Sequence, residues 1–76
     1  PFNPTTTINY QLPVNTFVTL KVYNILGEEV ATLVNEEKSA GIYQVKFDGS
    51  SLSSGIYFYK LTAGKISEIK KMMLVK

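Results

Sequence analysis

Short alternating runs of apolar and polar residues recur along the chain, each closed by turn-forming residues. Residues 7–12 are the first run: Ile8, Tyr10 and Leu12 share one parity, Asn9 and Gln11 the other. A period of two predicts a half-buried strand, and Pro13, with no N–H for a ladder, predicts its end. Residues 17–23 repeat the pattern, with Val18, Leu20 and Val22 inward and Thr19 and Lys21 outward. Residues 24–27 read as a turn, 29–34 as a third strand and 35–39 as a polar loop. Residues 42–48 predict a fourth strand, with Tyr43, Val45 and Phe47 inward and Gln44 and Lys46 outward. The connection 49–55 is Ser- and Gly-rich, with Leu52 as its one apolar plug.

Residues 56–62 are apolar on both parities, which predicts a central strand covered on both faces. Ala63-Gly64 signals a tight hairpin, and residues 66–75 predict the last strand. Its phase is broken: Glu68 and Lys70 share the parity of Ile66, Met72 and Leu74, and Ile69 does not. A β-bulge near residues 67–70 would repair it, because one extra residue exchanges the faces. A rival pattern runs through Val22, Ile25, Leu26, Val30, Leu33 and Val34, whose spacing also suits a helix over residues 25–34. Gly27 in mid-pattern and the β-branched residues favour strands, as does the regular recurrence of strand and turn signals. The expectation is an all-β, immunoglobulin-like β-sandwich of six to seven mostly antiparallel strands. Its core would be Ile8, Tyr10, Leu12, Val18, Leu20, Val22, Leu33, Tyr43, Val45, Phe47, Tyr57, Tyr59, Leu61, Met72 and Leu74. Lys21, Lys46 and Lys60 would blunt exposed faces or edges.

Composition narrows the chemistry. The 76 residues allow one domain, 1–76. Chains of this size usually lean on disulfides, metals or partners, and this one has no Cys and no His. Thiolate metal sites and imidazole catalysis are therefore excluded. The charge of +2 comes from eight Lys against six acids, with no Arg for bidentate phosphate or guanine contacts. The lysines are spread out, so no nucleic-acid partner is expected. No apolar run approaches the ~20 residues of a transmembrane segment. The opening has no basic or apolar leader and begins in the middle of a turn signal, which suggests a fragment from the end of a larger protein.

Candidate reactive groups read as structure instead. The serines cluster in loops with no base to activate them. Glu28-Glu29 and Glu36-Glu37 are adjacent, and neighbours in a strand point to opposite faces. No Ca²⁺-loop spacing accompanies Asp48, Glu36 and Glu37. Gly27-Glu28-Glu29 lacks the Gly-rich run and Lys of a phosphate cradle. No catalytic residue, metal or cofactor is expected. Tyr57-Phe58-Tyr59 reads as core first and as a stacking platform second. Of Met72 and Met73, one reads as core filler and the other as an adaptable surface.

Taken in order, the segments resemble the type A C-terminal sorting domain of proteins exported by the type IX (Por) secretion system of Bacteroidetes-type bacteria. The resemblance rests on Pro1-Phe2-Asn3-Pro4 and the following residues 5–8, on residues 18–27 (VTLKVYNILG), and on residues 29–34 (EVATLV). It continues through Ala40-Gly41 and residues 52–61 (LSSGIYFYKL) to the ending at residues 70–76 (KKMMLVK). It spans essentially the whole chain. The Asn that usually precedes the opening is absent. An immunoglobulin-like domain of flagellar hook-capping proteins shares two of these motifs but has a longer connection where this chain has residues 48–55.

The resemblance implies a folded address label. An upstream cargo domain in the same chain would cross the inner membrane by its own signal. The label would then be read in the periplasm by the outer-membrane export machinery, and a surface peptidase would often remove it, leaving the cargo secreted or on the cell surface. The expected recognition feature is Gly55 and Tyr57 with the tail Lys71, Met72, Leu74, Val75 and Lys76. Gly55 would supply an unusual backbone geometry, and Tyr57 would be mostly core. Met72, Leu74 and Val75 would anchor the strand, and Lys71 and Lys76 would face the receptor. A monomer is favoured over an oligomer. The alternatives are an immunoglobulin-like structural or adhesive module, with carbohydrate as one ligand, and a small oligomerisation domain.

Overall fold

The computed structural model describes residues 5–75. The opening Pro1-Phe2-Asn3-Pro4 and the terminal Lys76 lie outside the described residues. Six strands follow one another: β1 (Thr5–Leu12), β2 (Thr16–Asn24), β3 (Glu29–Lys38), β4 (Gly41–Asp48), β5 (Gly55–Ala63) and β6 (Ile66–Leu74). All pairings are antiparallel. β1 and β4 form one sheet, and the order β3-β2-β5-β6 forms the other. The two sheets face each other as an immunoglobulin-like sandwich.

The alternation predicted this core closely. Val18, Leu20 and Val22 on β2 are fully buried, and Ile8, Tyr10, Leu12, Phe47, Tyr57, Leu61 and Leu74 join them. Each such side chain contributes about 1.5–3 kcal/mol of burial. Leu33, Tyr43, Val45, Tyr59 and Met72 pack against this group half-buried. Val34 and Ala63 are core residues that the alternation did not single out.

The third strand differs most from expectation. β3 runs on through Lys38, so residues 35–38 form ladder where a loop was expected. Thr16, Phe17, Val18 and Thr19 pair with Lys38, Glu37, Glu36 and Asn35. A strand at a sheet edge tolerates this polarity, because one side of it faces water. No helix forms over residues 25–34. The helix-like spacing has another source: the β2–β3 register slips between Leu20 and Lys21 and again between Val22 and Tyr23. Leu33 and Val30 are the extra residues at those bulges. Each resets the two-residue phase, so Val30, Leu33 and Val34 come to share the inner side at spacings of three and one.

The turn before β3 is closed by Asn24, whose side-chain oxygen accepts from the Leu26 and Glu28 N–H groups, both at 2.9 Å. That competes directly with helical bonding. The bulge expected near residues 67–70 is absent. β6 pairs with β5 in one unbroken register from Gly55–Leu74 to Ala63–Ile66. Glu68 and Lys70 therefore stay on the inner side of the sheet, where they are exposed. They can, because the two-stranded layer stops short of them, leaving a groove of about 310 Å³ between β1 and the Leu61, Ala63, Ile66 and Glu68 positions. β5 is central as expected, but only its inner face is covered. Ile56, Phe58 and Lys60 are half-exposed on the outer face.

Candidate functional site

The residues expected to be read lie on the β5–β6 ladder and split between its two faces. Gly55 pairs with Leu74, Tyr57 with Met72, and Phe58 with Lys71. Because partners in register share a face, Tyr57, Met72 and Leu74 point to the core, and Lys71 points outward beside Phe58. Leu74 is 4% exposed and Tyr57 7%. The Tyr57 hydroxyl donates to the Ser53 carbonyl at 2.8 Å, so its polar end is satisfied at the rim.

Two glycines shape this seat. Gly55 has φ +154° with open space where a Cβ would sit. Its need for glycine is conformational rather than steric. Gly49, not anticipated from the sequence, is the reverse: a Cβ there would lie 2.7 Å from both terminal methyls of Leu74. The sequence offered only a Gly in a polar loop, and nothing in that pattern announces close packing against a residue 25 positions on.

The tail departs from expectation in one respect. Val75 lies beyond the end of β6 and is 60% exposed, so it does not anchor the strand. The inward parity belongs to Met72 and Leu74, and a Val one residue further points away from the core. The expected role of Lys76 lies outside the described residues.

The same end of the sheet carries apolar residues in the segment whose pattern predicts a turn. β2 finishes there at Asn24, which pairs with Tyr57. Ile25 and Leu26 follow in the turn, 68% and 80% exposed. Ile56 pairs with Met73, itself 69% exposed, on the outer face. The sequence shows two large aliphatic residues between Asn24 and Gly27, but only the structure shows that nothing among the described residues covers them.

Charge is concentrated elsewhere. On the outer face, Lys21 pairs with Glu29 at 3.3 Å, and the Thr32 hydroxyl donates to Glu29 at 2.8 Å. The Thr32 hydrogen bond, then that of Lys21, holds the Glu29 carboxyl below its ordinary range. On the inner side at the far end, Lys38 pairs with Glu36 at 3.1 Å and lies 5.0 Å from the Tyr43 ring centroid. Its hydrogen bond to Glu36 raises the ammonium pKa. Tyr10 stacks on Tyr43 with centroids 5.2 Å apart, and burial raises its hydroxyl pKa. Among the described residues no group of three or more acidic side chains comes together to hold a cation, and no helix is long and apolar enough to cross a membrane.

The arrangement presents surface on a firm two-layer support. The comparisons agree with that character. No curated protein and no solved structure matches the chain. One protein-family model, described as a secretion system C-terminal sorting domain, matches over residues 1–76. The chain thus belongs to the family of secretion system C-terminal sorting domains, and it is a type IX sorting signal that marks an attached cargo for the cell surface or for release.

Proposed function

We propose that the export machinery reads the outer face of the β5–β6 ladder, at the end where β5 begins and β6 finishes. One observation carries this reading: Ile56, Phe58, Lys71 and Met73 share that face in register with no further layer over them among the described residues, while Tyr57, Met72 and Leu74 hold the same stretch from beneath. A receptor meeting this end finds a rigid apolar strip with a cation, flanked by the exposed Ile25 and Leu26 of the neighbouring turn. Gly55 lets the backbone enter β5 there, and Lys71 contributes the charge; Lys76, expected to add to it, lies outside the described residues. Val75 adds exposed apolar surface rather than an anchor. The receptor meets a single copy, a surface peptidase removes the domain afterwards, and the chain performs no reaction of its own.

The test is export of a reporter fused to residues 1–76. Lys71→Ala with Lys76→Ala should lower export at least several-fold, and Phe58→Ser with Met73→Ser should lower it further. Circular dichroism should show the fold kept in each. Undiminished export in all of these folded variants would place recognition elsewhere on the domain.

A further inference from the structure

We infer that the free edge of β6 is a self-complementary surface that pairs with a second copy of this chain. β6 is the last strand of the order β3-β2-β5-β6, so its outer backbone side has no partner among the described residues. It is nine residues long, in unbroken register, with no proline, and it is exposed from Ile66 through Lys71. An unpaired, regular edge of this kind is a template for another strand.

The sequence of the strand selects the register. A two-fold axis normal to the sheet brings one residue opposite its own copy and keeps inner faces with inner faces. Centred on Glu68, it would oppose two carboxylates; centred on Lys70 or Lys71, two ammonium groups. Centred on Ile69, it opposes Ile69 with Ile69 on the outer face and Glu68 with Lys70 twice on the inner face. In the same register Ile66 meets Met72 twice, and Ser67 meets Lys71 twice. Every close pair is then apolar with apolar, opposite in charge, or charged with neutral; the first two favour cross-strand contact, and no like charges face each other.

Glu68 and Lys70 are exposed and, among the described residues, neither forms an ion pair within the chain. Ile69 and Ile66 are 65% and 51% exposed, so pairing also covers apolar surface. Lysines on an edge strand ordinarily discourage self-pairing. Here the Ile69-centred register leaves no two of them opposite each other. The contact is small, so the dimer is weak, half-formed on the order of 100 µM. In this register Lys71 of the surface assigned to the export machinery lies opposite Ser67 of the second copy, so pairing and receptor contact compete, whereas the charge-reversal positions Glu68 and Lys70 lie outside that surface.

The test is sedimentation of the 76-residue chain from micromolar to about millimolar concentration. The wild type should shift from one-chain towards two-chain mass. Glu68→Lys puts lysines opposite Lys70, and Lys70→Glu puts carboxylates opposite Glu68. Each variant alone should associate at least tenfold more weakly, with an unchanged far-UV spectrum. Mixed one to one they should associate again, because each chain then meets the opposite charge at both positions, and the double variant should do the same on its own. A wild type that stays at one-chain mass throughout overturns the inference. So do single variants that associate like the wild type, or a mixture that fails to recover. Export of the reporter carrying Glu68→Lys reads the sorting role separately, so the two ideas fail in different experiments.

Discussion

β3 and β6 are the two edges of one sheet, and they manage exposure in opposite ways. β3 is ten residues long, slips register twice, and ties its polar side chains down locally through Glu29, Thr32, Glu36 and Lys38. β6 is nine residues long and does not slip. Among the described residues, its Glu68 and Lys70 form no ion pair within the chain, while Met72 and Leu74 hold its far end to the core. Bulges bend and twist an edge away from would-be partners, whereas a straight edge stays available. The difference teaches that a broken hydrophobic phase does not locate a bulge. In β3 it marks two. In β6 it marks a strand that reaches past the layer covering it.

The largest expected effect breaks that contrast directly. Inserting one alanine between Lys70 and Lys71 turns Met72 and Leu74 outward. The lost burial is about 3–6 kcal/mol, comparable with the whole stability of a chain this size, about 4–11 kcal/mol. Urea unfolding should show β6 detached or the fold lost. The same insertion between Asn35 and Glu36 should cost only about 1 kcal/mol, because the residues beyond it are mostly exposed. Equal costs would mean that β3 is as tightly specified as β6.

Next comes the seat under the tail. Leu74→Ala should destabilise by about 3 kcal/mol, and Gly49→Ala by about 2 kcal/mol, because a Cβ 2.7 Å from the Leu74 methyls forces repacking. On the opposite edge, the half-buried Val30→Ala should cost about 1 kcal/mol. Thermal or urea melts of the three separate a packed terminus from a bulged one, and a Gly49→Ala protein as stable as the wild type would mean that Leu74 has room to move.

The smallest effect is electrostatic. The Glu29 carboxyl titrates below its ordinary value, first through Thr32 and then through Lys21. A depressed folded pKa means the stabilisation is present above the unfolded pKa and is lost as pH falls through the folded value. Thr32→Ala should move the Glu29 carboxyl titration, followed by NMR, upward towards the ordinary carboxylate range, and should flatten the acid limb of the stability curve. Both changes should be slight at this exposed site and slighter in high salt. A Glu29 titration unmoved by Thr32→Ala would remove the local hydrogen bond as the cause.

Much of this was legible in the residues. Strict alternation fixed which side chains of β1, β2 and β4 face inward, and it named most of the core. The order of motifs along the chain pointed to the sorting family. Three features were not legible, each for a physical reason. Val34 rather than Leu33 is the buried core residue of β3 because a bulge shifted the phase, and bulges are set by pairing with β2. The exposure of Glu68 and Lys70 on an inward parity depended on how far the opposite sheet extends. Gly49 beneath Leu74 joins residues far apart in sequence, whose closeness only the packing of the two sheets creates.

The sequence by itself determined that this is an all-β chain without imidazole or thiol chemistry, and its motif order determined the role of an address label. The first follows from local facts, because residue identity, two-residue periodicity and turn chemistry act within a few positions; the second rests on the resemblance of that motif order to a known family. The tertiary structure decided which edge is bulged and which is straight, which face of β5 is left bare, and what the tail rests on. Those depend on how two sheets of unequal width overlap, and the width of a layer is a property of distant strands pairing, which no single strand encodes.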